Sequence, residues 1–159
     1  RNHIVFFFAG AGAARARVEQ CTAERKLDNV RLIPRQPKSR MPAIWNLCDL
    51  ALVPLRDTPV FATVIPSKIF EAMGMGVPML MSVPEGEATA IMRDTGSGVC
   101  VPPQTPTAMA AEIARLAQQP REVAKLRLAA RDAAPAYSRD VQALRMLAIL
   151  VETARPNRE

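Results

Sequence analysis

The chain has 159 residues, 49% of them hydrophobic and 23% charged, which is enough to bury one core of ordinary size and excludes an intrinsically disordered segment. A net charge of +6 suits nucleic acid, an anionic membrane surface or a phosphorylated ligand. However, the cations are scattered through helical stretches (Arg15, Arg17, Arg115, Arg121, Lys125, Arg127, Arg131), and five Phe, one Trp and one Tyr give little for base stacking, so solvated helix faces are expected and a nucleic-acid partner is not.

The elements follow in chain order. Ile4 to Ala9 is a continuous apolar run of strand length, followed by the turn Gly10-Ala11-Gly12 and a helix from Ala13 to about Leu27. Val30 to Pro34 reads as a second strand, Arg40 to Asp49 as a brief helix with Pro42 in its first turn, and Leu50 to Pro54 as a third strand. Leu55 to Ile65, with Pro59 and several β-branched residues, reads as a loop leading to a helix that begins near Ser67. Pro78 to Val83 is a fourth strand, Gly86 to Thr95 a short helix closed by Gly96, and Gly98 to Val101 a fifth strand. From Thr105 the pattern is wholly helical. One helix carries the stripe Met109, Ile113 and Leu116, Pro120 opens another to about Ala134, and Ser138 caps the last. There Val141, Leu144, Leu147, Ala148 and Val151 form an apolar face that needs a partner surface.

This alternation predicts an α/β fold, a Rossmann-like parallel sheet flanked by helices, over residues 1–155, with a charged tail after it. No apolar run reaches the roughly 18 residues of a membrane span. Cys21, Cys48 and Cys100 are odd in number and far apart in apolar contexts, so they read as buried small hydrophobes rather than a disulfide framework or zinc site. The single histidine, His3, leaves little material for histidine chemistry, and no metal site is expected. The opening Arg1-Asn2-His3, without a methionine, suggests a piece of a longer polypeptide.

The densest signal is Ile65-Pro66-Ser67-Lys68-Ile69-Phe70-Glu71, closed by Gly74 and Gly76. Proline fits a first turn that needs no backbone donor, serine can cap free amides, and lysine adds a positive charge. Glu71 falls one turn after Ser67 on the same face, so a diphosphate at the amides and a ribose hydroxyl at the carboxylate could be held together. That combination points to a nucleotide sugar. Gly10 and Gly12 follow the first strand, and Arg35 and Gln36 the second, so all the candidates fall at the carboxyl ends of strands, where such sheets bind ligands.

Each residue also has a plainer reading. Glu71 suits the dipole of a first turn, Ser67 can be a cap alone, Lys68 a surface lysine, and the glycines a tight corner. Glu85 and Glu87 read as favouring the dipole of the following helix rather than as acid–base groups. Trp45, Met73, Met75, Met79 and Met81 read as packing residues.

Taken with Phe8-Ala9-Gly10-Ala11-Gly12, Cys48-Asp49-Leu50-Ala51-Leu52-Val53-Pro54 and Gly98-Val99-Cys100-Val101-Pro102-Pro103, the motif resembles the C-terminal, donor-binding half of a GT-B fold glycosyltransferase of the retaining family 4, over about residues 4–155. The version with Ile65-Pro66-Ser67-Lys68 and Gly86-Glu87-Ala88 is similar to bacterial enzymes that build O-antigen or capsule with amino-deoxy sugars. The resemblance implies transfer of a sugar from a nucleotide diphosphate donor, with UDP expected, to a glycan or lipid-linked acceptor. It implies retained configuration, no cofactor and no obligatory metal. Glu71 would hold the ribose hydroxyls, the free amides at that helix start the diphosphate, and Arg35 and Gln36 would cradle the base. Thr63 stands where the family has its first glutamate, and the family's preceding strand and an acceptor domain are expected upstream. The last helix would pack partly on that domain, and the isolated piece would not turn over. A cytoplasmic protein with peripheral contact at the inner membrane face is expected. Two alternatives remain, a nucleotide-sugar epimerase of the same fold and a non-catalytic nucleotide-sugar-binding module.

Overall fold

The computed structural model describes residues 4–154, so His3 and the charged tail from Arg155 lie outside the described residues. The chain divides into two compact units, one running to Leu47 and one from Cys48.

The first unit is a β–α–β element. Strand β1 (Phe6–Ala9) pairs in parallel with β2 (Val30–Ile33), Phe6 opposite Val30 and Ala9 opposite Ile33, and helix α1 (Arg15–Glu24) connects them. The helix is shorter than its sequence pattern at both ends. Ala14 offers no side-chain cap, and Lys26 turns into the left-handed region at φ 49°. A 3₁₀ turn at Lys38–Arg40 precedes α2 (Met41–Trp45). This helix stops well before Asp49, where the Asn46 and Leu47 amides close the last turn on Pro42 and Ile44. Trp45 is half-buried, as a packing residue should be. Strand β1 lies in a strongly apolar run, and among the described residues it pairs with β2, with Phe7 43% exposed.

The second unit contains strands β3 (Ala51–Pro54), β4 (Met79–Ser82) and β5 (Gly98–Val101) in a parallel sheet of order β3-β4-β5. Ala51 lies opposite Met79, and Met79 opposite Gly98. As the central strand, β4 is buried at every position, which explains why it reads as an unbroken apolar run. Its Met79, Leu80 and Met81 form the core with Val53, Val77, Met92, Leu116, Ala130 and the inner face of α4 (Lys68–Gly74), namely Ile69, Ala72 and Met73. Met75, by contrast, is half-buried.

Helix α5 (Glu87–Thr95) ends at Gly96, left-handed at φ 61°, whose amide donates to Met92 O at 2.9 Å. Helices α6 (Pro106–Ala117) and α7 (Pro120–Ala133) each have proline in the first turn, and Leu116 is the buried member of the α6 stripe. A 3₁₀ turn at Ala134–Tyr137 stacks Tyr137 on Phe70 of α4, ring centres 5.4 Å apart. The last helix, α8 (Arg139–Thr153), is capped by Ser138, whose Oγ accepts from the Val141 amide at 3.3 Å. Val141 is half-buried, but the rest of its apolar face stays exposed, Leu144 at 65%.

Two further expectations about the fold need correction. The segment 55–65 is not all loop, because α3 (Pro59–Ala62) forms in it with Pro59 at its first position. The cysteines are not buried either. Cys21 and Cys48 are half-buried and Cys100 is exposed.

Candidate functional site

Helix α4 places the central candidates. Its entry is tight, with the Ile69 amide donating to Pro66 O and the Phe70 and Glu71 amides donating to Ser67 O. Ser67 already has helical backbone angles (φ −57°, ψ −26°), so its hydroxyl makes no cap bond. The expected serine cap is therefore absent, because a capping residue must itself keep non-helical backbone angles. Among the described residues the amides of Ser67 and Lys68 have no internal acceptor. Glu71 lies one turn on, in the first turn of α4. Ser67, Lys68 and Glu71 are exposed, Ile65 and Pro66 half-buried, and the Glu71 carboxylate has no hydrogen-bond or ion-pair partner among the described residues.

The approach to this helix is held by close packing. A Cβ on Gly86, which precedes α5, would lie 2.0 Å from the carbonyl oxygen of Ala62 at the end of α3, so only glycine fits. Gly86 is also fixed to α5, its amide donating to Thr89 Oγ1 at 3.0 Å. Thr63, just after α3, donates its hydroxyl to Val60 O at 3.0 Å. Beside Gly86, Glu85 accepts from Thr89 Oγ1 and pairs with Arg93 at 2.6 Å. The Arg93 hydrogen bond, then that of Thr89, hold the Glu85 carboxyl below the usual glutamate range. Glu87 lies in the first turn of α5, where the dipole favours an acid.

In the first unit, Gly10 and Gly12 border a cleft of about 200 Å³ at the end of β1, together with Phe8, Arg15 and Leu32. Gly10 is at φ 145°, and its amide donates to Ile33 O at 3.1 Å, joining the ends of the two strands. Arg15 reinforces that joint. Its Nη1 donates to the carbonyls of Gly10 (2.6 Å) and Ile33 (3.0 Å), while Nε pairs with Glu19. Sequence reasoning had placed Arg15 on a solvated helix face and missed this role, since nothing local marks a contact to a carbonyl 18 residues away. Arg35 is exposed beyond β2, and Gln36 donates to Pro34 O at 3.0 Å. The candidates thus form two groups, Gly10, Gly12, Arg35 and Gln36 at joined strand ends, and Ile65 to Lys68 with Glu71 around one helix start.

Comparison with known proteins supplies the family. WbjE of Pseudomonas aeruginosa, named as a probable glycosyltransferase, is 32% identical over 106 residues, 66% of this chain and 26% of its own length. WcaI of Escherichia coli K12, which carries the name of a colanic acid biosynthesis glycosyl transferase, is 27% identical over 112 residues, 69% of this chain and 27% of its own length. The chain therefore spans about a quarter of each of these relatives. The crystal structure of WaaG, a glycosyltransferase involved in lipopolysaccharide biosynthesis, superposes with a TM-score of 0.67 at 18% identity, over 95% of this chain and 38% of that one. That likeness shows a shared fold, parallel sheets flanked by helices. Residues 1–119 match the family described as Glycosyl transferases group 1, and the chain belongs to it.

Proposed function

We propose that the chain is the donor-binding part of a glycosyltransferase that moves a sugar from a nucleotide diphosphate, with UDP expected, to a glycan or lipid-linked acceptor in bacterial surface polysaccharide assembly. The observation that carries this reading is the start of α4 in a chain of this family. There the unaccepted amides of Ser67 and Lys68 lie one helical turn before a Glu71 carboxylate that has no internal partner. Amides at a helix start, with the Lys68 cation beside them, favour a diphosphate, and an unpaired carboxylate one turn on accepts from ribose hydroxyls. As the diphosphate leaves, the same amides and cation stabilise its growing charge, the role a metal ion has in other transferases. Gly10, Gly12, Arg35 and Gln36, at the joined ends of β1 and β2 in the first unit, are proposed as further substrate-binding residues. The names of the relatives support polysaccharide assembly as the setting.

In a longer protein, the exposed apolar face of α8 would pack partly on a further domain that brings the acceptor. Peripheral contact with a membrane would follow from a lipid-linked acceptor. No helix among the described residues is long and apolar enough to cross a membrane.

A second reading, a non-catalytic nucleotide-sugar-binding module, is favoured by Thr63. Its hydroxyl bonds to Val60 O, and it offers no acid to the donor sugar. Labelled UDP-sugars given to the full-length protein with a lipid-linked acceptor separate the readings. Label in the glycan supports transfer, binding without transfer supports the module, and an epimerised donor contradicts both.

A further inference from the structure

A second cleft, of about 300 Å³, opens in the second unit at the carboxyl ends of β3 and β4. Its walls are largely apolar, from Pro54, Leu55, Pro106 and Met109, and Arg56 and Gln104 complete them.

The loops around it are cross-braced. The Leu55 amide donates to Ser82 O at 2.9 Å, and the Asp57 amide donates to Gln104 Oε1 at 3.0 Å. Ser82 Oγ and Thr105 Oγ1 both donate to Pro102 O. Arg56 therefore sits between two pinned neighbours. The two arginines that line the clefts differ sharply. Arg15 is engaged with two carbonyls and Glu19, whereas the Arg56 guanidinium has no hydrogen-bond or ion-pair partner among the described residues, only its carbonyl accepting from the Thr58 amide. The side-chain NH₂ of Gln104 is likewise unpartnered there.

We propose that this cleft binds a carboxylated sugar residue, with Arg56 as the counter-charge that selects it over a neutral sugar. The planar guanidinium fork matches a carboxylate through two parallel hydrogen bonds. The apolar walls suit the C–H face of a sugar ring, and a single cation balances one negative charge but not the several of a diphosphate. The carboxylate is carried either by the donor sugar or by the acceptor glycan. The proposal rests on the glycosyltransferase reading for its biological setting, but not for its binding test.

Titration calorimetry with two matched pairs tests it in both arms: UDP-glucuronate against UDP-glucose for the donor, and methyl glucuronide against methyl glucoside for the acceptor. In at least one arm the chain should prefer the acid by about tenfold, as for a charge-assisted pair. Arg56→Met should abolish that preference and Arg56→Lys should restore part of it. Backbone amide shifts at Leu55 to Asp57 and Gln104 to Met109 should accompany binding. Equal affinity for acid and neutral partner in both arms, or a preference that survives in Arg56→Met, overturns the proposal. The methyl glycosides carry no nucleotide, so binding of methyl glucuronide that survives Glu71→Ala separates failure of the donor-site reading from failure of this one.

Discussion

Replacing Gly86 by alanine tests how the approach to α4 is held. Gly86 is extended at φ 170°, a conformation any residue adopts, so the substitution is not strained by its own backbone. Its cost is steric. The new methyl would stand 2.0 Å from the Ala62 carbonyl oxygen and 2.9 Å from the carbonyl carbon, and reaching ordinary contact requires the two segments to part by about 1.4 Å. No rotamer change relieves this, because both sides are backbone. Gly86 is tied to α5 through Thr89, and its carbonyl accepts from the Ala90 amide at 3.0 Å. The Ala62 side therefore has to lift, displacing the segment that leads from α3 into α4. Overpacking of this kind costs about 1–3 kcal/mol, or roughly 5- to 150-fold in the folding constant. Urea denaturation should show a lower midpoint with an unchanged slope, and UDP affinity should fall as the start of α4 shifts. A stability within about 0.5 kcal/mol of wild type would refute the close approach.

Other outcomes follow from the same packing. Gly74→Ala, at the last position of α4 with nothing near the added carbon, should stabilise by up to about 0.5–1 kcal/mol in the same denaturation assay. Leu80→Ala, in the fully buried central strand, should cost about 2–5 kcal/mol. Arg115 Nη1 and Nη2 each lie 2.6 Å from an oxygen of Glu122 and Glu112 respectively, and its hydrogen bond first, then desolvation in the opposite sense, set a Glu122 carboxyl below the ordinary glutamate range. A depressed folded-state pKa gives stability that is present above the unfolded value and is lost as pH falls through the folded one. NMR titration of Glu122 should thus have a midpoint below an ordinary glutamate, and Arg115→Met should move it up.

The sequence was most legible where one local rule decided the outcome. The run Pro78 to Val83 read as a strand and is one at Met79–Ser82, and Gly96, Pro106, Pro120 and Ser138 marked helix ends through their own backbone chemistry. Features set by distant groups were not legible. The bond from Arg15 to the Ile33 carbonyl and the approach of Gly86 to Ala62 join residues far apart in the chain. Ser67 misled because helical geometry begins one residue early, which turns a good capping residue into an uncapped one. The four-residue α3 was hidden by the β-branched residues around it. At the candidate site, the motif from Ile65 to Glu71 gave the helix and its acid, and the absence of an internal partner for Glu71 emerged only from the packed structure.

The central claim is that α4 receives a nucleoside diphosphate with Glu71 on the ribose, and calorimetric titration of UDP against wild type and Glu71→Ala tests it most directly. Losing hydrogen bonds to a charged acceptor costs about 1.5–3 kcal/mol, so UDP should bind the variant roughly ten- to a hundredfold more weakly while inorganic pyrophosphate binds both alike. Equal UDP affinity in the two proteins would contradict the account.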